Sequence, residues 1–254
     1  MRVYEAGNTP QENLAIMAEN PYHGRMLMMG YVGDLAVQAY VLEGRSDGSQ
    51  NRILVNENNI ISTEIDDPNG PKGNPELTVY DVMRSVHGLQ AVTNGNQTDR
   101  IMQFVRSGNT FMDAMDANAT TFEPDSLHTP RISGFIDITP EPNQPQFGIS
   151  VVRKGSESDD PIKAFYSENS PDIDLRSGVG YAVHTYKGDP EAPESFDEPP
   201  FAIPIEGSAK DMLDMLLDTV QPSNRVAIVT KTIDRSGRVD YQIANDRPYS
   251  TKQQ

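Results

Sequence analysis

"RMLMMGYVGDLAVQAYVLEG", residues 25–44, is the stretch from which the fold can be read. RMLMMGYV (25–32) and LAVQAYVLEG (35–44) are predicted strands, and the Gly33-Asp34 pair between them is a two-residue hairpin turn. Upstream, PQENLAIMAE (10–19) is a predicted short helix, with Thr9 as its N-cap and Pro10 in its first position. Downstream, GRSDGSQNR (44–52) is a polar loop, followed by strands RILVNE (52–57) and IISTEI (60–65) about an Asn-rich turn.

A loop of Asp, Pro, Asn and Gly covers 66–75, and ELTVYDVMRSV (76–86) and LQAVTNG (89–95) are predicted strands. Two helices are expected next, QTDRIMQFVRSG (97–108) ending at Gly108 and NTFMDAMDANAT (109–120) capped by Asn109 or Thr110. RISGFIDI (131–138), FGISVVRK (147–154), a short strand at 163–166 and VGYAVHTYKG (179–188) continue the β pattern, and 189–200 is irregular by its prolines. SAKDMLDMLLDTV (208–220) is the clearest amphipathic helix, with Met212, Leu213, Met215, Leu216 and Leu217 on or near one face. A last hairpin joins 225–233 to 239–245, and the tail after Arg247 is expected to be loose. About ten strands and three or four helices predict one α+β domain, sheet packed on sheet with helices outside.

Composition narrows the function. The chain of 254 residues has no cysteine, which excludes disulfides, cysteine-ligated zinc and cysteine nucleophiles. No apolar stretch approaches the roughly 18 residues of a membrane helix, and the N-terminus has no secretory h-region. A cytoplasmic location is therefore expected. A net charge of −16 repels nucleic acid and anionic lipid, so neither is an expected partner. The basic residues are distributed unevenly. Between Tyr22 and Arg131 seven of the eight basic residues are arginine, whose planar fork matches phosphate and carboxylate. His23, His87, His128 and His184 are too far apart for zinc spacing, and no metal is expected. Phosphate-loop, dinucleotide and nucleophile-elbow motifs are missing.

Four polar clusters interrupt the apolar strands: YHGR (22–25), GRSDGSQNR (44–52), TNGNQTD (93–99) and FEPDSLHTPR (122–131). TNGNQTD also reads as a tight turn before an N-capped helix, whose first N–H groups could face an anion.

Six ordered blocks resemble the archaeal-type IMP cyclohydrolase family: NPYHGRMLMMG, AYVLEGRSDGSQNRILV, LTVYDVMRSV, AVTNGNQTD, FEPDSLHTPRISG and GVGYAVHTYKGD. They span roughly residues 20–205, with the 10–19 helix as an N-terminal extension to one domain over 1–254. The resemblance implies a four-layer αββα sandwich resembling the N-terminal-nucleophile hydrolases. It also implies a purine ribonucleotide substrate, the formamidoimidazole carboxamide ribonucleotide that closes to IMP with loss of water. Arg2 follows Met1, so the terminal Thr, Ser or Cys of those hydrolases is not expected to act.

The residues matching the family pattern are Tyr80, placed in a strand, and Glu123, placed before the Thr-Pro-Arg motif. Tyr80 is expected to hydrogen-bond or move a proton at the formyl or leaving oxygen. Read by itself it is a strand aromatic in the core. Glu123 is expected to be the acid or base, with Asp125 as a substitute. Arg25, Arg45 and Arg52, with Ser46, are candidates for phosphate and carboxamide contacts, and Asn94, Thr129 and Arg131 for the base or ribose. No cofactor is expected, because ring closure needs orientation, proton transfer and stabilisation of the formyl oxygen. A homo-oligomer is expected. Relatives carry Ser-Arg-Asn-Arg where this chain has Ser49-Gln50-Asn51-Arg52, which leaves two alternatives beside the enzyme. One is a nucleotide-binding paralogue without turnover; the other is a related amide-cyclising or amidohydrolase reaction.

Overall fold

The strand 25–32 is buried almost throughout, not on one face only. A strand with both faces covered reads as a continuous apolar run, which is the pattern of a sheet packed between two layers. The computed structural model describes residues 2–5, 7–138, 146–156 and 158–246; the tail after Arg247 lies outside them. Within them the order is α1 (Pro10–Glu19), β1 (Arg25–Val32), β2 (Leu35–Glu43), α2 (Asp47–Gln50), β3 (Arg52–Glu57), β4 (Ile60–Ile65), α3 (Pro75–Thr78), β5 (Asp81–Val86) and β6 (Leu89–Thr93). Then follow α4 (Gln97–Arg106), α5 (Phe111–Asn118), β7 (Arg131–Asp137), β8 (Phe147–Lys154), β9 (Pro161–Ser167), β10 (Val179–His184), β11 (Tyr186–Lys187) and β12 (Glu194–Ser195). β13 (Phe201–Pro204), α6 (Ala209–Thr219), β14 (Arg225–Ile233) and β15 (Val239–Asn245) complete the chain.

Among the described residues the strands form a six-stranded sheet, β13-β10-β1-β2-β14-β15, a seven-stranded sheet, β3-β4-β5-β6-β7-β8-β9, and the small β11-β12 pair. The strand pairings are antiparallel. One apolar core joins the two sheets, with Leu27, Met29, Val37, Val41 and Val229 from the first and Leu54, Met83, Val92, Ile132 and Ile149 from the second. Each such side chain, fully buried, contributes about 1.5–3 kcal/mol. A second core, with Ile101, Met102, Phe111 and Met115, lies between the seven-stranded sheet and α4 and α5. α1 and α6 cover the other sheet through β13, β14 and β15. The fold is thus an α+β sandwich with helices outside both sheets.

Helix caps follow local chemistry. Thr9 and Glu12 form a capping box on α1, and Ser208 and Asp211 form one on α6.

Four expectations are corrected. The 44–52 stretch is not an open loop: Ser46 caps the single helical turn α2. The strand expected from 76 starts at Asp81, because Asn74 caps the short helix α3 and Pro75 opens it. Tyr80 therefore stands just before a strand, not in one. The side chain of Asn96 does not cap α4; it turns to Arg131 instead. The strand expected over 179–188 breaks at Thr185, where the chain turns off the sheet into β11.

Candidate active site

Antiparallel pairing brings the start of β1, the end of β2, and the starts of β3, β5 and β7 to one end of the sandwich. Arg25, Arg52, Tyr80 and Arg131 stand at these starts, and the 122–131 segment carries Glu123 to the same end. Tyr40, within β2, lies just below.

The turn that delivers Arg25 is tightly built. Glu43 Oε2 accepts from the backbone N–H groups of His23, at 2.5 Å, and Gly24, at 3.1 Å. Gly24 has φ +71°, and a β carbon there would stand 2.5 Å from Thr185 Oγ1. Only glycine fits both the conformation and the space.

Tyr80 is aimed by a register shift between β4 and β5 at Ile61/Ser62. Its backbone N–H donates to Thr63 Oγ1 at 3.0 Å, and its carbonyl accepts from Thr63 N–H at 2.9 Å. Its hydroxyl then lies 2.9 Å from that of Tyr40.

Arg52 is 1 % exposed. Its Nε donates to Ser49 O at 2.8 Å, but neither Nη has a hydrogen-bond partner among the described residues. The buried Nε of Arg25 is equally without one. No carboxylate of the described residues comes within ion-pair distance of either arginine. Burial, and then the neighbouring Arg25 charge, lowers the pKa of Arg52 from its ordinary value. Two like charges with unpartnered buried donors are an arrangement suited to an anion.

Glu123 is 3 % exposed. Burial pushes its carboxyl up to about 7, against the opposing fields of Arg25 and Arg131. Gly95 closes over it: a β carbon at that position would stand 2.9 Å from Arg131 Nη1 and 3.1 Å from Glu123 Oε1. Arg131 donates from Nη1 to Gln97 Oε1 at 2.5 Å and to Asn96 Oδ1 at 3.2 Å, which fixes its fork beside Glu123.

The remaining sequence candidates are placed differently. Thr129 Oγ1 donates to Asp125 at 2.5 Å and accepts from the Tyr186 hydroxyl at 2.5 Å, so it holds Tyr186. Asp125 is thereby occupied, since it also accepts from the Thr129 N–H at 2.7 Å. Asn94 donates to Pro130 O and accepts from Ile132 N–H and Gln97, tying the 94–97 turn to the start of β7. Arg45 and Ser46 are exposed: Arg45 donates to Pro190 O at 3.1 Å, and Ser46 caps α2. Gln50 donates to Gly44 O at 3.0 Å and closes the same turn. Of the arginine run, Arg84 is taken up by Asp81 and Asp99.

Tyr22, Tyr40 and Tyr186 were missed from sequence, although all three lie in the quoted blocks. Tyr22 stacks on Tyr186 with centroids 5.9 Å apart. As strand and turn aromatics they carry the same local signal as core residues.

A family model described as IMP cyclohydrolase-like protein matches residues 22–237. The chain is similar to an IMP cyclohydrolase of Methanothrix thermoacetophila, 29% identical over 168 residues, covering 65% of this chain and 74% of that protein. It is also similar to an IMP cyclohydrolase of Methanosphaera stadtmanae, 30% identical over 123 residues, covering 47% of this chain and 60% of that one.

Proposed function

The chain belongs to the IMP cyclohydrolase-like family, and on that premise we propose that it closes the formamidoimidazole carboxamide ribonucleotide to IMP. One observation carries the reading to this site: Arg25 and Arg52 hold buried N–H groups without acceptors, beside Tyr80 and a carboxyl with its pKa raised to about 7. An anionic substrate supplies the missing acceptors, and its phosphate is the group the arginines bind. Remote binding energy then holds the reacting end in place.

The carboxamide nitrogen attacks the formyl carbon and forms the new C–N bond. Glu123 takes the proton this nitrogen gives up; a carboxyl titrating near 7 is matched to that task. The Tyr80 hydroxyl donates to the formyl oxygen as negative charge develops on it. That oxygen, protonated, leaves as water while the formamide nitrogen loses its proton. Arg131, locked by Asn96 and Gln97, borders the base and keeps a positive charge beside Glu123.

The layer order supports the kinship with the N-terminal-nucleophile hydrolases that the sequence blocks implied. No helix among the described residues is long and apolar enough to cross a membrane, and a cytoplasmic, homo-oligomeric enzyme is the proposed form. The test follows IMP formation from the ribonucleotide spectrophotometrically, with and without EDTA. Turnover unaffected by EDTA is expected. Tight IMP binding with no turnover would instead make the chain a binding paralogue.

A further inference from the structure

We infer that Tyr40, whose hydroxyl lies 2.9 Å from that of Tyr80, is a positioning residue that turns the Tyr80 proton toward the substrate. The inference rests on the ring-closure reading and adds a residue to it.

Tyr40 is fully buried in the middle of β2. Its cross-strand neighbours are apolar, Leu27 on one side and Val229 on the other. Nothing in that packing calls for a hydroxyl, and phenylalanine would fill the same space. The hydroxyl makes one hydrogen bond among the described residues, to Tyr80. The charged groups whose fields reach it are Arg25 and Arg52, and a guanidinium donates but never accepts. Either hydroxyl of the pair could donate to the other, but Tyr40 is fully buried with no other partner among the described residues, whereas Tyr80 is 6 % exposed beside Arg25 and Arg52, where the substrate offers it a second acceptor.

That fixes a direction. Once the substrate is bound, Tyr80 can give its proton to the formyl oxygen, and Tyr40, with no other acceptor among the described residues, donates to the Tyr80 oxygen. Ring closure needs a donor at the formyl oxygen, and a reversed pair would leave Tyr80 able only to accept. An accepted hydrogen bond also polarises the O–H of the acceptor and strengthens it as a donor.

The experiment compares wild type, Tyr40→Phe, Tyr80→Phe and the double variant. Tyr40→Phe is expected to lower kcat by about 10- to 100-fold, the scale of a lost orientation, with KM and the Kd for IMP nearly unchanged. The double variant is expected to be no slower than Tyr80→Phe, because Tyr40 acts only through Tyr80. A second readout does not depend on turnover. In protein labelled with 13C at tyrosine Cζ, the resonance missing from Tyr80→Phe identifies Tyr80, and it is expected to shift in Tyr40→Phe. An unchanged kcat, additive losses in the double variant, or an unmoved Tyr80 resonance would each overturn the inference. A wild type that makes no IMP would remove the ring-closure reading, and the Tyr80 resonance would still decide whether the two hydroxyls are hydrogen-bonded.

Discussion

Replacing Arg52 by methionine should move ligand affinity and protein stability in opposite directions. The arginine is 1 % exposed, with Nε bonded to Ser49 O and both Nη groups unmet. In the free protein those donors are desolvated without return, and Arg25 adds repulsion. Methionine fills a similar volume and gives up one hydrogen bond from a charged group, about 1.5–3 kcal/mol, while relieving an unsatisfied buried charge that costs at least as much. Free Arg52→Met is therefore expected to unfold at an equal or higher urea concentration than wild type. With IMP bound, the same Nη groups have an anion to meet. One charge-assisted contact is worth about 1.5–3 kcal/mol, so Kd for IMP should rise about 10- to 150-fold. Calorimetry with IMP and with inosine separates phosphate from base, and inosine binding should change little. Reduced stability of the free variant with unaltered IMP affinity would refute the argument and make Arg52 a structural residue. An equal loss for inosine would refute its placement on phosphate.

Four further outcomes are expected. Because the Glu123 carboxyl titrates near 7 in the folded protein, kcat/KM should rise with pH through that value, and Glu123→Gln should lose the limb along with about 10²–10⁴ in kcat. The same raised pKa stabilises the fold at low pH and is lost as pH rises through about 7, so urea denaturation should find Glu123→Gln more stable relative to wild type at pH 8 than at pH 4. Tyr80→Phe should lower kcat by about 10²–10⁴ with Kd for IMP little changed, measured as paired steady-state and calorimetric values. Arg45→Ala, at an exposed side chain bonded to Pro190 O, should alter Kd for IMP far less than Arg52→Met; an equal effect would bring Arg45 into the phosphate site.

The parts of the protein readable from sequence are those whose cause lies within a few residues. Gly33-Asp34 specifies the β1–β2 hairpin, and Gly33 takes φ +57° as such a turn demands. Thr9 with Glu12 and Ser208 with Asp211 start their helices by side chains three residues apart. The register of each hairpin follows, since the pleat allows one alternation at a time. The short helix α3 was missed because four residues capped by Asn74 carry too little pattern to outweigh the β-forming residues after them. The six family-like blocks also carry Arg25, Arg52, Tyr80, Glu123 and Arg131, which the fold brings together at one end of the sandwich.

Folding alone separates those five from Arg45 and Ser46. All carry the same chemistry in sequence, but α2 turns Arg45 and Ser46 outward, and the next residues carry Arg52 in under Tyr40 and Tyr80. Nothing local makes β14 return beside β2, although the pairing of Val229 with Tyr40 depends on it. Nor could spacing show that Tyr40 and Tyr80 touch, or that Asp125 is taken up by Thr129 while the Glu123 carboxyl lies in the fields of Arg25 and Arg131. Burial completes the difference. A glutamate gains a carboxyl titrating near 7, and an arginine two unmet donors, only where the two sheets and the 122–131 segment exclude water from both. That exclusion belongs to residues a hundred positions apart, and the chain acquires it only when it is folded.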